Sequence, residues 1–148
     1  EIPKRDWSSD VCSSDLLGPT GAGEVAKACN QLIGAANIIA NAEAAVVAER
    51  AGLDVAKLFE LMLGGYSSST IMADKAPRYI NKDYTVSGAA SFWIKDLKAY
   101  LDEAGRTGTP TVQGDRLLEA FQGVVDAGWG AEDTAIVQKY IEERDAQA

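Results

Sequence analysis

The feature that most constrains this chain is one unbroken helical pattern, from Glu24 to about Arg50. It is opened by the turn Gly18-Pro19-Thr20-Gly21-Ala22-Gly23 and stopped at Gly52, with no proline inside it. At 1.5 Å of rise per residue it reaches roughly 40 Å, more than a small domain needs to cross its own core. A chain that puts so much of itself into one rod must bury the rod against other elements.

At about 100° per residue, Val25, Cys29, Leu32, Ile33, Ala36, Ile39, Ala40 and Val47 share one face of this helix. Lys27, Asn30, Gln31, Gly34, Asn37 and Asn41 share the opposite face. The spacing predicts that the first set is buried and that the amides of Asn37 and Asn41 bond to another helix. Ile38 falls on the polar stripe and Glu43 on the apolar face; a second buried surface, such as a subunit contact, would accommodate Ile38.

Further helices follow. Asp54 is a good N-cap for a second, through about Leu63, with Val55, Leu58, Phe59 and Met62 inward and Gly64-Gly65 as its stop. Ser67 to Ser69 can cap a third, Thr70 to about Ile80, broken or kinked near Pro77. After a loop, Asn81 to Gly88, a fourth runs from about Ala89 to Ala104 with Phe92, Leu97 and Leu101 inward. A fifth runs from about Thr111 to Ala127 with Val112, Leu117, Leu118, Phe121 and Val125 inward, and Asp133 caps a sixth through about Arg144. There is no period-two strand, no internal repeat and no heptad, so the expected fold is all-α.

Composition narrows the function classes. The chain is 47% apolar and 24% charged, as soluble globular domains are. Lys and Arg number 14 against 22 Asp and Glu, a net charge of −8 that argues against binding nucleic acid through its phosphates. There is no histidine, which excludes Ser-His-Asp and Cys-His catalysis and imidazole-ligated metals; no metal site is expected. Two cysteines make no disulfide scaffold, which points to the reducing cytoplasm. The longest uncharged run in the apolar part, Ala28 to Ala42, falls short of the ~20 residues of a membrane span, so no membrane partner is expected.

Residues 1–16, EIPKRDWSSDVCSSDL, have neither helical nor strand period and repeat Ser-Ser-Asp. They read as a disordered tail without chemistry. The stretch RDWSSDVCSSDL also resembles the translated read-through of a common sequencing adapter, in which case it is an artefact to be excluded from the fold. The domain is then 17–148.

The glycine turn invites three readings. For a P-loop, Gly18 and Gly23 have the right spacing, but Glu24 and Val25 stand where Lys and Ser or Thr must be. A dinucleotide fingerprint is met by Gly21, Gly23 and Ala26, yet neither the preceding strand nor the βαβ return is present. What remains is a tight turn at a helix start, where backbone N–H groups favour an anion such as a substrate carboxylate. Lys27 lies in that first turn, with Asn30 three and Gln31 four residues on. A cation is disfavoured there, and partial desolvation favours the neutral amine, as proton transfer near neutrality requires. Two carboxamides beside it can hold a hydroxyl or carboxylate. The bland alternative is an exposed helix lysine beside surface amides.

GPTGAGEVAKACNQ, Gly18 to Gln31, resembles the G-x-G-x-x-x-K-x-x-N-[NQ] signature of the β-hydroxyacid dehydrogenases. That family includes 3-hydroxyisobutyrate dehydrogenase and tartronate semialdehyde reductase, with 6-phosphogluconate dehydrogenase more distant. The likeness continues through ANIIANAEAAVVAERAGLD, LMLGGYSSST, KAPRYI and FWIKDLKAYLDEAG to the Asp133 helix. It covers only the family's second, all-α domain, which implies that an amino-terminal Rossmann domain is absent. The resemblance implies Lys27 as the catalytic acid and base, Asn30, Gln31 and Gly23 as substrate-binding, and Lys95 as a lysine near the nicotinamide. Ser68 and Ser69 lie in the family's GG-x-x-x-S region without a role that carries over. It further implies NAD or NADP as cofactor, bound mainly by the missing domain, a small 3-hydroxy acid as substrate, and a homo-oligomer built through the long helix. A non-catalytic helical dimerisation module is the alternative from another class.

Overall fold

A computed structural model of the protein describes residues 18–144. The tail expected over 1–16 lies outside the described residues. Among those described there are six α-helices: α1 (Ala22–Arg50), α2 (Val55–Leu63), α3 (Thr70–Asn81), α4 (Phe92–Thr107), α5 (Gly114–Asp126) and α6 (Val137–Arg144). A 3₁₀ turn, Thr134–Ile136, leads directly into α6. The all-α expectation holds. The only pairing of extended backbone among the described residues is an isolated antiparallel bridge between Ala89 and Asp133.

The helix starts follow local chemistry. Gly21, at φ 92°, takes a left-handed turn into α1, and no side chain caps that helix. Asp54 accepts from the backbone N–H groups of Ala56 and Lys57 to start α2. The Ser69 hydroxyl accepts from Met72 N at 3.0 Å to start α3. The Asp133 carboxylate accepts from Ala135 N at 3.0 Å at the start of the 3₁₀ turn.

Three boundaries differ from those the sequence predicts. The third helix runs unbroken through Pro77. Its face carrying Met72, Ala76 and Tyr79 is buried, and that packing outweighs the single backbone bond proline removes. The fourth helix begins at Phe92, not Ala89, because the preceding residues are held elsewhere: Ala90 N donates to Glu132 O and Ser91 N to Gly130 O, both at 2.9 Å. Phe92 is consequently 68% exposed instead of inward. The fifth begins at Gly114, not Thr111. Gly114 is pressed against α4, where a Cβ would lie 2.9 Å from Leu101 Cδ2, and Val112, in the turn before it, is exposed.

The largest correction concerns α1. Its buried residues are Ala28, Gly34, Ala35, Ile38, Asn41, Ala42, Ala45, Val46 and Ala48. Ile33 and Val47 of the predicted core face are 61% and 65% exposed; Cys29 and Ala40 are exposed too, and Val25, Leu32, Ala36 and Ile39 are only partly buried. The reason is close packing. The side that other helices approach is the one with small side chains, and at Gly34 an added Cβ would lie 2.9 Å from Trp93 Cη2. Ile38 therefore belongs to the chain's own core, and Glu43 stands on the side left in water. Neither amide bonds between helices as predicted. Asn37 donates to its own helix at Ile33 O, 2.9 Å away, and Asn41 Nδ2 is buried without a partner.

α1 is the spine. Around it the core joins Phe59 and Tyr79, stacked at 5.9 Å, to Trp93 and Phe121, stacked at 5.6 Å. The Tyr79 hydroxyl donates to Ile38 O at 3.0 Å. Among the described residues α1 is also the one helix long and apolar enough to cross a membrane by length and composition alone; in this fold its buried face is spent on the protein's own core.

Candidate active site

Lys27, Asn30 and Gln31 come about one helical turn apart on the first part of α1. Lys27 and Asn30 are exposed and Gln31 is half-buried. The shielding of Lys27 from water that the sequence predicts is absent: its side chain is exposed, while the neighbouring Ala28 is buried. Lys27 nevertheless points the same way as Gln31, four residues on, and Gln31 faces the body of the fold.

What holds Gln31 is α4. Its Nε2 donates to Asp96 Oδ2 at 2.5 Å, and its Oε1 accepts from Asn30 Nδ2 at 3.3 Å. The register is set one turn away. Gly34 lies three residues after Gln31 and Trp93 three before Asp96, so the close approach of Gly34 to the Trp93 ring brings the two polar groups opposite each other. Asp96, on sequence grounds an unremarkable surface charge, is half-buried.

Gln31 and Asp96 form one wall of a cavity of about 570 Å³ between α1, α3 and α4, with Thr70, Asp74, Lys75 and Trp93 among its lining. Its floor is ionic. The Lys75 ammonium lies 3.2 Å from both oxygens of Asp133 and 3.3 Å from Ser87 Oγ. Asp133 is fully buried. It also accepts from Ser87 Oγ at 2.7 Å and Ser87 N at 3.1 Å. Burial pushes its carboxyl pKa up, but the Ala135 amide, the Ser87 hydroxyl and amide and the Lys75 charge outweigh that and hold it at about 2. Arg78 closes the same loop from outside, donating to Thr85 O at 2.5 Å. These groups satisfy one another, so the floor is scaffold.

The other expected residues lie apart from this cavity. Gly23 is half-buried in the first turn of α1. Lys95 is exposed and lines a separate shallow depression on α4 with Ser91, Ile94, Lys98, Ala99 and Asp102. Ser69 is spent as a helix cap, and Ser68 is exposed. Among the described residues no three His, Cys, Asp or Glu side chains gather as metal ligands. Sequence reasoning missed Asp96 and Lys75. Their partners are 65 and 58 residues away, and no local pattern signals such a pairing.

A family model described as the NAD-binding of NADP-dependent 3-hydroxyisobutyrate dehydrogenase matches residues 21–141. The chain belongs to the 3-hydroxyisobutyrate dehydrogenase family. It is 34% identical over 96 residues to the probable 3-hydroxyisobutyrate dehydrogenase-like 3 of Arabidopsis thaliana, covering 62% of this chain and 30% of that protein. It is 31% identical over 119 residues to L-threonate dehydrogenase of Cupriavidus necator, covering 80% of this chain and 40% of that enzyme. Its fold matches the crystal structure of a 3-hydroxyisobutyrate dehydrogenase from Salmonella typhimurium with a TM-score of 0.78 at 28% identity, over 83% of this chain and 43% of that one. The chain thus spans less than half the length of each of these dehydrogenases.

Proposed function

We propose that this chain is the helical, substrate-side part of an NAD(P)-dependent 3-hydroxy acid dehydrogenase in which Lys27 is the general acid and base. The observation that carries the reading is the trio on α1: an amine with carboxamides three and four residues on in one helix start, the inner amide tied to α4 by Asp96. In the oxidation direction Lys27 takes the proton of the substrate hydroxyl, and in reduction it returns it. Asn30 orients the substrate, and the start of α1 at Gly23 offers the positive end of a helix to its carboxylate. A second protein surface closing over Lys27 would exclude water and favour its neutral form. The relatives' names supply the substrate class, small hydroxy acids such as L-threonate.

The residues present suit one edge of a nicotinamide dinucleotide: Lys95 and Lys98, with one carboxylate at Asp102, stand beside the apolar Ile94 and Ala99 in an open depression. Lys95 would hold that edge. The cofactor, when bound, supplies the hydride chemistry.

The test joins the chain to the part of the Cupriavidus necator L-threonate dehydrogenase that it does not span, and measures turnover of L-threonate and 3-hydroxyisobutyrate with NAD and NADP. Lys27→Ala is expected to lower kcat by ~10²–10⁴-fold. It should leave the far-ultraviolet circular dichroism and melting temperature unchanged, because the side chain is exposed. Equal turnover by the parent and Lys27→Ala fusions would remove Lys27 from the chemistry.

A second reading, a dimerisation role for α1, draws on the exposed stripe of Cys29, Ile33, Ala40 and Val47. The two readings are compatible: one face of the rod carries the chemistry and the other the partner copy. A cytoplasmic setting suits Cys29, a free and exposed thiol.

A further inference from the structure

We infer that the cavity between α1, α3 and α4 receives the far end of the substrate, and that Asp74 on α3 selects an acid whose carbon chain carries a hydroxyl beyond the reacting carbon. The inference rests on the dehydrogenase reading above and adds to it a substrate class and a residue that determines specificity.

The direction of the substrate follows from α1. Gly23, Lys27 and Gln31 stand four residues apart, so each lies about 6 Å further along the helix and is turned by only about 40°. A substrate with its carboxylate at the helix start and its reacting hydroxyl at Lys27 has its remaining carbons directed past Gln31. There the cavity of about 570 Å³ begins, with Gln31 in its wall. The opposite orientation would set the substrate carboxylate against Asp74 and Asp96, which both line the cavity, and like charges repel.

The cavity has unlike sides. Trp93 and Ile71 offer apolar surface to a carbon chain, while Thr70 and Asp74, one turn apart on α3, offer oxygen. The other polar groups are already engaged. Lys75 is held by Asp133 and Ser87, and Gln31 by Asp96 and Asn30. Asp74 differs from them. It meets Lys75 through one oxygen, Oδ2 at 3.5 Å, and its side chain is 68% exposed. An ionised carboxylate has about four acceptor positions and no donor, so Asp74 keeps capacity to accept from a ligand. A hydroxyl suits it. A methyl group in that place would take water from the carboxylate and return no bond. An ammonium would stand close to the ammonium of Lys75. Thr70 is exposed at the rim, and its hydroxyl can both donate to and accept from the same ligand group.

The test uses the fusion described above. Values of kcat and KM are measured for L-threonate and for its analogue with a methyl group in place of the terminal CH₂OH. The parent is expected to favour L-threonate in kcat/KM by roughly tenfold, the scale of one hydrogen bond to a charged group. Asp74→Leu is expected to remove most of that preference, mainly by raising KM for L-threonate. Thr70→Val, which exchanges a hydroxyl for a methyl at nearly constant shape, is expected to shift the ratio in the same direction by less; it keeps the test open should Asp74→Leu fail to fold. A parent that favours the methyl analogue overturns the inference. So does an Asp74→Leu variant that loses both substrates equally, because the residue would then act on the fold alone. A parent fusion that folds and binds NADP but turns over no hydroxy acid overturns the dehydrogenase reading, and this inference with it. An active parent whose ratio Asp74→Leu and Thr70→Val leave in place overturns the inference alone.

Discussion

Asp133 is one carboxylate with four kinds of neighbour: the Lys75 ammonium, the Arg78 guanidinium at 3.8 Å, the Ser87 hydroxyl and the backbone amides of Ser87 and Ala135. Its carboxyl titrates near 2 in the fold, below the ordinary value of 3.8. A depressed acid contributes stability above its unfolded value and loses it as pH falls toward the folded one. The contribution is therefore complete above about pH 4 and fades between about 4 and 2, worth roughly 2 kcal/mol over that interval. Asp133→Asn takes from the buried Lys75 its main counter-charge, leaving it Asp74 at 3.5 Å, and is expected to cost up to about 3–5 kcal/mol at neutral pH. Urea denaturation of parent and variant across pH 2–6 checks both statements, since the gap between the two should narrow on the acid side. A gap that stays constant would mean that the carboxylate is not held as described. Nearby, burial and then the charge of Asp133 push the Tyr79 hydroxyl above its ordinary range, so that side chain stays a neutral donor to Ile38 O throughout this window.

At the scale of elements, the contact between α1 and α4 decides the site. Gly34→Ala would gain helix propensity, about 1 kcal/mol. It would also place a methyl carbon 2.9 Å from the Trp93 ring. The ring is stacked on Phe121 and moving it would disturb that packing, so the substitution is expected to destabilise by a net ~1–3 kcal/mol and to loosen the Gln31–Asp96 bond. A variant that melts higher than the parent would show that the helices are not in close contact there. The same helix shows what the amino-acid order can and cannot tell. Caps at Asp54, Ser69 and Asp133 are local hydrogen-bonding chemistry, and they are readable at the residue that performs them. The buried face of α1 is not. Its wheel carries apolar side chains on both sides, and the side chosen is the one with Gly34, Ala35, Ala42 and Ala45, where backbones can approach. Hydrophobicity ranks Ile33 and Val47 above those residues, whereas packing depends on shape. Lys27 and Asn30 were visible through their spacing and their family likeness. Asp96 was not, because its meaning comes only from a partner on another helix.

For the whole molecule, two surfaces of one rod have different fates. The outward stripe of α1 borders a groove of about 430 Å³ against α5 and α6, floored by Ala36, Ile39 and Leu117. If copies of the chain associate through this side, Ile33→Glu is expected to convert the assembly to monomer in size-exclusion chromatography with light scattering, while the helical signal stays intact. Ile33 is 61% exposed, so the fold itself has little to lose. By the same logic the chain by itself is expected to show no turnover of L-threonate with either nicotinamide cofactor, because Lys27 lines neither the depression that holds Lys95 nor the cavity beside Gln31. Turnover by the chain alone would refute that division of labour.

The uncapped start of α1 has a consequence for motion. From Ala22 to about Asn30 the rod buries only Ala28 fully and has no side chain closing its end, so its backbone can fray more readily than the segment from Gly34 to Val46, which lies in the core. Hydrogen–deuterium exchange should divide one continuous helix into a rapidly exchanging tip and a slowly exchanging shaft. The amine and the outer carboxamide ride on the tip, and the Gln31–Asp96 bond marks the joint where fraying stops.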